Sequence, residues 1–81
     1  MKRVALLIGN ANYQSAKFPN IENCKADAVL LDILLRKRGF ETQLYLDQNA
    51  EQMTEIISSF FKSLDQNIEA LVFYYESPLT L

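Results

Sequence analysis

Residues 3–9 read RVALLIG, and this apolar run decides how the rest of the chain is organised. A continuous run of β-prone apolar residues is typical of a strand buried on both faces, as in a parallel sheet. Residues 10–22 are polar, carry Pro19 and predict a loop. We therefore expect residues 3–9 to lie in the middle of a sheet that is covered on both sides.

Residues 23–38 carry the pattern of a helix. Asn23 is a candidate N-cap, the basic residues 36–38 complement the dipole at the other end, and Gly39 supplies a left-handed residue just past it. The helix is expected to cover the sheet with one broad apolar face. That face contains Ala26, Val29, Leu30, Ile33 and Leu34, widened by Leu31 and Leu35.

Two more strands and a second helix follow. Residues 42–46, TQLYL, alternate and predict a short edge strand. Asn49 and Gln52 form a capping-box pattern at the start of a helix. Residues 70–75, ALVFYY, predict a third strand that is fully buried. The second helix is expected to face the sheet through Met53, Ile56, Ile57, Phe60 and Leu64.

The alternation of strands and helices predicts a three-layer α/β/α fold with a parallel sheet and right-handed crossovers. The two most apolar strands, the first and the third, are expected to be adjacent, which gives the strand order 2-1-3. This order places the helices on opposite faces. It also creates a switch point at the carboxyl ends of the first and third strands, where such folds bind ligands.

The bulk composition is that of a small globular domain or a piece of one. The chain has 81 residues, of which 49% are hydrophobic, and a net charge of −2. This charge argues against nucleic acid or an anionic membrane as the main partner. No segment approaches the roughly 20 apolar residues of a membrane span. With Cys24 as the single cysteine, we expect a soluble protein of the reducing cytoplasm.

The chain contains no histidine, which excludes Ser–His or Cys–His catalysis built from these residues alone. The commonest metal ligand is therefore also missing, and we predict no metal or other cofactor. The turn after the first strand, GNANYQ, has one glycine and matches no phosphate-binding pattern. A nucleotide-binding Rossmann-like module is therefore the least favoured alternative.

Four features form a more specific pattern. They are RVALLIGNANY at residues 3–13, Asp27 followed thirteen residues later by Phe40, LYLDQNAEQMTEIISSFFKSLD at 44–65, and ALVFYY at 70–75. Together they resemble the opening of caspase-like cysteine peptidase domains, closest to paracaspases and metacaspases. The resemblance covers residues 3–75 and implies a partial caspase-like, Rossmann-like fold. Residues 1–81 would be the incomplete N-terminal part of its p20 region.

The resemblance also implies where catalysis would occur. In this family the third strand runs into a Ser/Ala-Gly-His-Gly turn whose His activates a cysteine after the next strand. Here Tyr75 is followed by ESPL at residues 76–79, and the family's nucleophile would lie beyond Leu81. We expect an N-terminal fragment of an Arg/Lys-directed cysteine endopeptidase domain, inactive alone, arising by truncation, splicing or a frame shift. A non-catalytic interaction or decoy module is the alternative.

Two residues are candidates for substrate binding under this resemblance. Asp27 matches an Asp that helps line the pocket for a basic P1 side chain, where a carboxylate suits a guanidinium. Its alternative role is to stabilise the helix N-terminus. Cys24 lies three residues earlier, a spacing seen in metacaspases, and is either pocket-lining or a small packed residue. Without a nearby base or cation, Cys24 is not expected to be a nucleophile.

Other polar and aromatic residues have simpler interpretations. Asn10, Asn12 and Tyr13 follow the first strand and serve either substrate contact or turn geometry. We expect Tyr74 and Tyr75 to be core residues. Asp32, Glu51 and Glu55 are assigned to solvated helix faces.

The outer edge of the third strand is expected to lack a paired strand. Exposed strand edges recruit other chains, especially when their side chains are apolar. The sequence therefore predicts association through this edge, either with a second copy of the chain or with a full-length caspase-like relative.

Overall fold

The protein is described by a computed structural model over residues 2–10, 22–65 and 67–76, with the side chains of the first helix described from residue 26 onward. Strands and helices alternate in the predicted order. The elements are β1 (Lys2–Gly9), α1 (Glu22–Lys37), β2 (Phe40–Leu46), α2 (Ala50–Lys62) and β3 (Ile68–Glu76). Within these residues, no helix is long and apolar enough to cross a membrane.

The three strands form a parallel sheet in the order β2-β1-β3, as the sequence predicts. The register places Ala5 between Thr42 on one side and Val72 on the other. Four consecutive residues of β1, from Ala5 to Ile8, are completely buried. The prediction that β1 is a central strand buried on both faces is therefore confirmed.

The α2 layer also follows the prediction. The Asn49 side chain accepts a hydrogen bond of 2.7 Å from the Gln52 backbone N–H, and the Gln52 side chain accepts one of 3.0 Å from the Asn49 N–H. These two bonds form the predicted capping box. Phe60, only 3% exposed, anchors the helix on β1. The apolar residues in this core are Val4, Leu6, Ile8, Tyr45, Met53, Ile56, Ile57, Phe60, Leu64 and Ile68.

Helix α1 covers the opposite face of the sheet, but with a different side from the one predicted. Ala28 is completely buried and Asp32 is 9% exposed, whereas the expected apolar face is largely open to solvent. The exposed residues of that face are Val29, Leu30, Ile33 and Leu34. A polar contact fixes this orientation, because the Asp32 carboxylate accepts hydrogen bonds from the Thr42 hydroxyl and from Arg36 Nε. The prediction that Asp32 lies on a solvated face is wrong.

The C-terminal end of α1 matches the sequence pattern, and its N-terminal end does not. Asn23 lies inside the helix, which begins at Glu22, so its assignment as N-cap is wrong. At the other end Gly39 has a φ of +84°, and its N–H donates to the Arg36 carbonyl oxygen at 3.1 Å. This is the predicted left-handed stop signal.

Strand β3 is less buried than its sequence predicts. Leu71, Phe73 and Tyr75 are 40%, 42% and 47% exposed and alternate with half-buried residues. The reason is that β3 is an edge strand of the described sheet, and α2 packs mainly over β1. Full burial of β3, and a core position for Tyr75, are therefore wrong for this chain, whereas Tyr74 is half-buried.

Candidate functional site

The carboxyl edge of the sheet, where the resemblance predicts a site, is organised around Asn10. This residue directly follows β1 and is 8% exposed. Its Nδ2 donates to the Gln48 carbonyl oxygen at 3.0 Å, and its Oδ1 accepts from the Gln48 N–H at 3.0 Å. Its own N–H donates to the Glu76 carbonyl oxygen at 2.9 Å. One residue thus connects the end of β1 to the β2–α2 connection and to the end of β3.

The β2–α2 connection is held against the same edge by further hydrogen bonds. The Asp47 N–H donates to the Gly9 carbonyl oxygen at 3.2 Å, and Gln48 Nε2 donates to the Leu46 carbonyl oxygen at 2.8 Å. Asp47 has a φ of +57°, in the left-handed region that short polar residues tolerate. Asn10 Nδ2 also lies 3.2 Å from the sulfur of Met53, in the first turn of α2. These contacts hold the carboxyl edge of the sheet in one arrangement. We call the group formed by Asn10, Asp47, Gln48 and Met53 the platform.

Asn10 therefore acts within the protein. The nitrogen and the oxygen of its side-chain amide both bind Gln48 in the connection after β2. The sequence predicts either substrate contact or a local turn for Asn10, and the observed role is neither of these. The sequence signal was a single Asn after a buried strand, and nothing in it identified Gln48 as the partner. Asn12 and Tyr13, the other candidates in this loop, lie outside the described residues.

The candidate pocket residues are on α1. Because β1 and β2 are parallel, α1 runs back along the sheet and begins near the carboxyl edge. Asp27 lies in the second turn of α1 with its side chain exposed. Cys24 precedes it by three residues, a spacing that places both on one side of a helix. The Cys24 backbone belongs to α1, and its side chain lies outside the described residues.

Glu76 occupies the position where the resemblance places the start of the catalytic turn. Its carboxylate is hydrogen-bonded to the Tyr74 hydroxyl, and its backbone oxygen accepts from Asn10. The segment that would follow β3 therefore starts beside the platform built by Asn10. Among the described residues, no group of three or more His, Cys, Asp or Glu side chains is arranged to hold a metal ion.

Two cavities lie away from this edge, in an open groove between α2 and β2. One, of about 270 Å³, lies at the amino end of the sheet beside Lys2, Phe60 and Asp65. The other, of about 420 Å³, continues the groove past Tyr45 and Glu55. Ligands of open parallel sheets bind outside the carboxyl ends of the strands, so the candidate site is expected at that edge rather than in this groove.

Comparisons with known proteins agree with the resemblance. The family model of the caspase domain matches residues 2–77. The human mucosa-associated lymphoid tissue lymphoma translocation protein 1 is 33% identical over 72 residues, which are 89% of this chain and 8% of that protein. The chain therefore spans less than a tenth of that relative's length. No solved structure matches the chain.

The family match extends over all three strands and both helices, and the sheet has the strand order that the apolar pattern of the strands predicts. The chain belongs to the caspase-domain family, with a paracaspase among its relatives.

Proposed function

We propose that this chain supplies the amino-terminal part of a caspase-like cysteine endopeptidase domain that cleaves after Arg or Lys. The observation that carries the proposal is the caspase-domain match over residues 2–77. The platform at the carboxyl edge of the sheet supports it, because the segment after β3 begins there at Glu76.

In this proposal the 81 residues form part of the sheet and bind the basic side chain of the substrate. The residues that cleave the peptide bond belong to another segment. A cysteine peptidase needs a thiolate and a base that generates it. These residues contain no histidine, and Cys24 sits in α1 rather than after a sheet strand. The chain is therefore inactive alone and requires a segment that carries the His–Cys pair.

Asp27 is the residue that we assign to recognition of the basic side chain. Asp27 is exposed in the second turn of α1, and this helix begins near the carboxyl edge of the sheet. A carboxylate accepts two parallel hydrogen bonds from a guanidinium, and such charge-assisted bonds are stronger than neutral ones. By the same resemblance we propose a pocket-lining role for Cys24, which precedes Asp27 by three residues.

A chimera tests this assignment. Residues 1–75 are joined to the catalytic segment of a paracaspase, starting at its Ser/Ala-Gly-His-Gly turn, and kcat/KM is measured on Arg and Lys fluorogenic peptides. Asp27→Ala is expected to lower kcat/KM about ten-fold or more, because a hydrogen bond to a charged group contributes roughly 1.5–3 kcal/mol. Glu51→Ala, which removes an exposed carboxylate from α2, is the matched control.

The proposal for Asp27 fails if both variants keep the kcat/KM of the parent chimera. A chimera that folds but cleaves after residues other than Arg and Lys would contradict the proposed specificity.

A second candidate function is a non-catalytic interaction module that binds caspase-like relatives. The exposed apolar side chains Leu71 and Phe73 on β3 favour it. Adding the purified chain to an active full-length relative distinguishes the two functions. A module that binds should change the turnover of the relative in a concentration-dependent way, whereas a scaffold without such binding should leave turnover unchanged.

A further inference from the structure

We infer that two copies of this chain associate through the outer side of α1, with the two helices antiparallel around a twofold axis. Helix α1 packs on the sheet through Ala28 and Asp32, and the opposite side of the helix carries exposed apolar residues. Monomeric proteins rarely expose a contiguous apolar surface, and such surfaces commonly bind a partner. This inference does not rest on the proposed function.

The exposed apolar residues of α1 lie together in one stripe. At about 100° per residue, Leu30 and Ile33 are about 200° and 140° around the helix from Ala28, so they point away from the sheet. They are 57% and 45% exposed, and the exposed Val29 and Leu34 lie on either side of them. Because the middle of the stripe faces away from the sheet, lengthening the sheet beyond either edge would not cover it.

The stripe also has the spacing of a helix–helix seam. The residues along its middle are Ala26, Leu30, Ile33 and Lys37. Their intervals of four, three and four residues are those of the core positions of a coiled coil. A twofold axis midway between Leu30 and Ile33 places Leu30 of each copy opposite Ile33 of the other. Two equivalent apolar layers therefore form the middle of the interface.

The charges at the two ends of the stripe make a second, antiparallel copy the partner that fits. Asp27 lies at the N-terminal end, and Lys37 lies at the C-terminal end with no ion pair in the part of the chain that the structure describes. Antiparallel packing brings Lys37 of each copy beside Asp27 of the other, whereas parallel packing would bring the two Lys37 side chains together. Exposed ion pairs contribute little to affinity, so these charges select the orientation and the apolar layers supply the binding.

Analytical ultracentrifugation of the purified 81-residue chain tests the inference. The wild type is expected to be a reversible dimer. Leu30→Lys and Ile33→Glu each place a charge in both apolar layers of a homodimer, so each is expected to raise the dissociation constant about ten-fold or more. An equimolar mixture of the two variants is expected to recover a heterodimer. One of its layers is the native pair of Leu30 and Ile33, and in the other the introduced lysine faces the introduced glutamate.

The control is Leu71→Lys, which adds a charge at an apolar residue of β3 that is 40% exposed and should leave the dimer intact. Far-UV circular dichroism of every variant checks that the fold is kept. Asp27 is unchanged in all of them, so the result is independent of the proposed substrate pocket. A monomeric wild type, a dimer unaffected by both α1 variants, or a mixture that associates no more tightly than either variant alone would each overturn the inference. A dimer lost only in Leu71→Lys would also overturn it and would place the interface on β3.

Discussion

The side chain of Asn10 and the backbone of Gln48, 38 residues apart in the sequence, exchange two hydrogen bonds of 3.0 Å each. The side-chain amide of Asn10 donates to and accepts from the backbone of one residue, which is the pattern that two paired strand residues form. It fixes the connection after β2 against the end of β1, which is where the candidate site begins.

Asn10→Ala should destabilise the fold by about 1–3 kcal/mol, because it leaves the half-buried Gln48 N–H and C=O without their partner. Urea denaturation measures the change in the free energy of unfolding. Gln48→Ala is the control, since it removes only the bond from Gln48 Nε2 to the Leu46 carbonyl oxygen. If Asn10→Ala costs no more than Gln48→Ala, the pair does not hold the edge as described.

Asp32 should make the stability of the chain sensitive to acid. Burial acts to raise the pKa of its carboxyl, but hydrogen bonds from Thr42 and Arg36 and the charge of Arg36 outweigh this and hold the pKa below its ordinary 3.8. The carboxylate therefore contributes stability that is present above pH 3.8 and is lost as the pH falls through the lower folded-state value.

Urea denaturation between pH 7 and the acid limit of folding measures this effect. Asp32→Asn should reduce stability at neutral pH and flatten its loss below pH 3.8. Glu55→Gln, which changes an exposed carboxylate of α2, should leave the profile close to wild type. Identical acid profiles for wild type and Asp32→Asn would show that protonation of Asp32 does not change the free energy of unfolding.

Neighbouring phenylalanines of α2 offer a matched test of which face of the helix holds the core. Phe60 is 3% exposed and Phe61 is 46% exposed, and their rings meet edge-to-face at 5.4 Å. Phe60→Ala should cost about 3–5 kcal/mol, as is usual for a buried ring. Phe61→Ala loses the same mutual contact and should cost clearly less. Thermal or urea unfolding compares them, and equal losses would contradict the assigned packing.

The isolated chain should show no turnover of Arg or Lys fluorogenic peptides, with or without calcium. It contains no histidine to act as base, and general acid–base catalysis commonly contributes 10²–10⁴-fold. The measurement is the initial rate with purified wild type beside Cys24→Ser. Activity that disappears in Cys24→Ser would show that this cysteine is a nucleophile after all.

Local signals in the sequence predicted most of the fold. The continuous apolar run of β1, the capping box at Asn49 and the glycine at 39 each require one kind of local structure. The strand order then follows from the expectation that the two most apolar strands, β1 and β3, are adjacent. Each of these features is determined by the residues of its own segment and by how apolar they are. A single sequence is therefore enough to predict them.

The side of α1 that faces the sheet could not be predicted in the same way. At about 100° per residue, the apolar residues at positions 29, 30, 31, 33, 34 and 35 span about 240° of the helix circumference, so periodicity does not select one face. The selection is made by Ala28, which is small enough for complete burial, and by the contact of Asp32 with Thr42 across the layer. The partner of Asn10 was equally hidden, because Gln48 becomes its neighbour only after β1 and β2 have paired.

The central position of β1 has a consequence during synthesis. This strand is made before both of its partners, since β2 begins at Phe40 and β3 at Ile68. At roughly 5–20 residues per second, β1 spends several seconds on the ribosome before β3 is complete. Throughout that interval the sequence VALLI, the most deeply buried in the finished sheet, is without its second neighbouring strand. The segment that is most deeply buried in the finished sheet is therefore synthesised before either of the strands that pair with it.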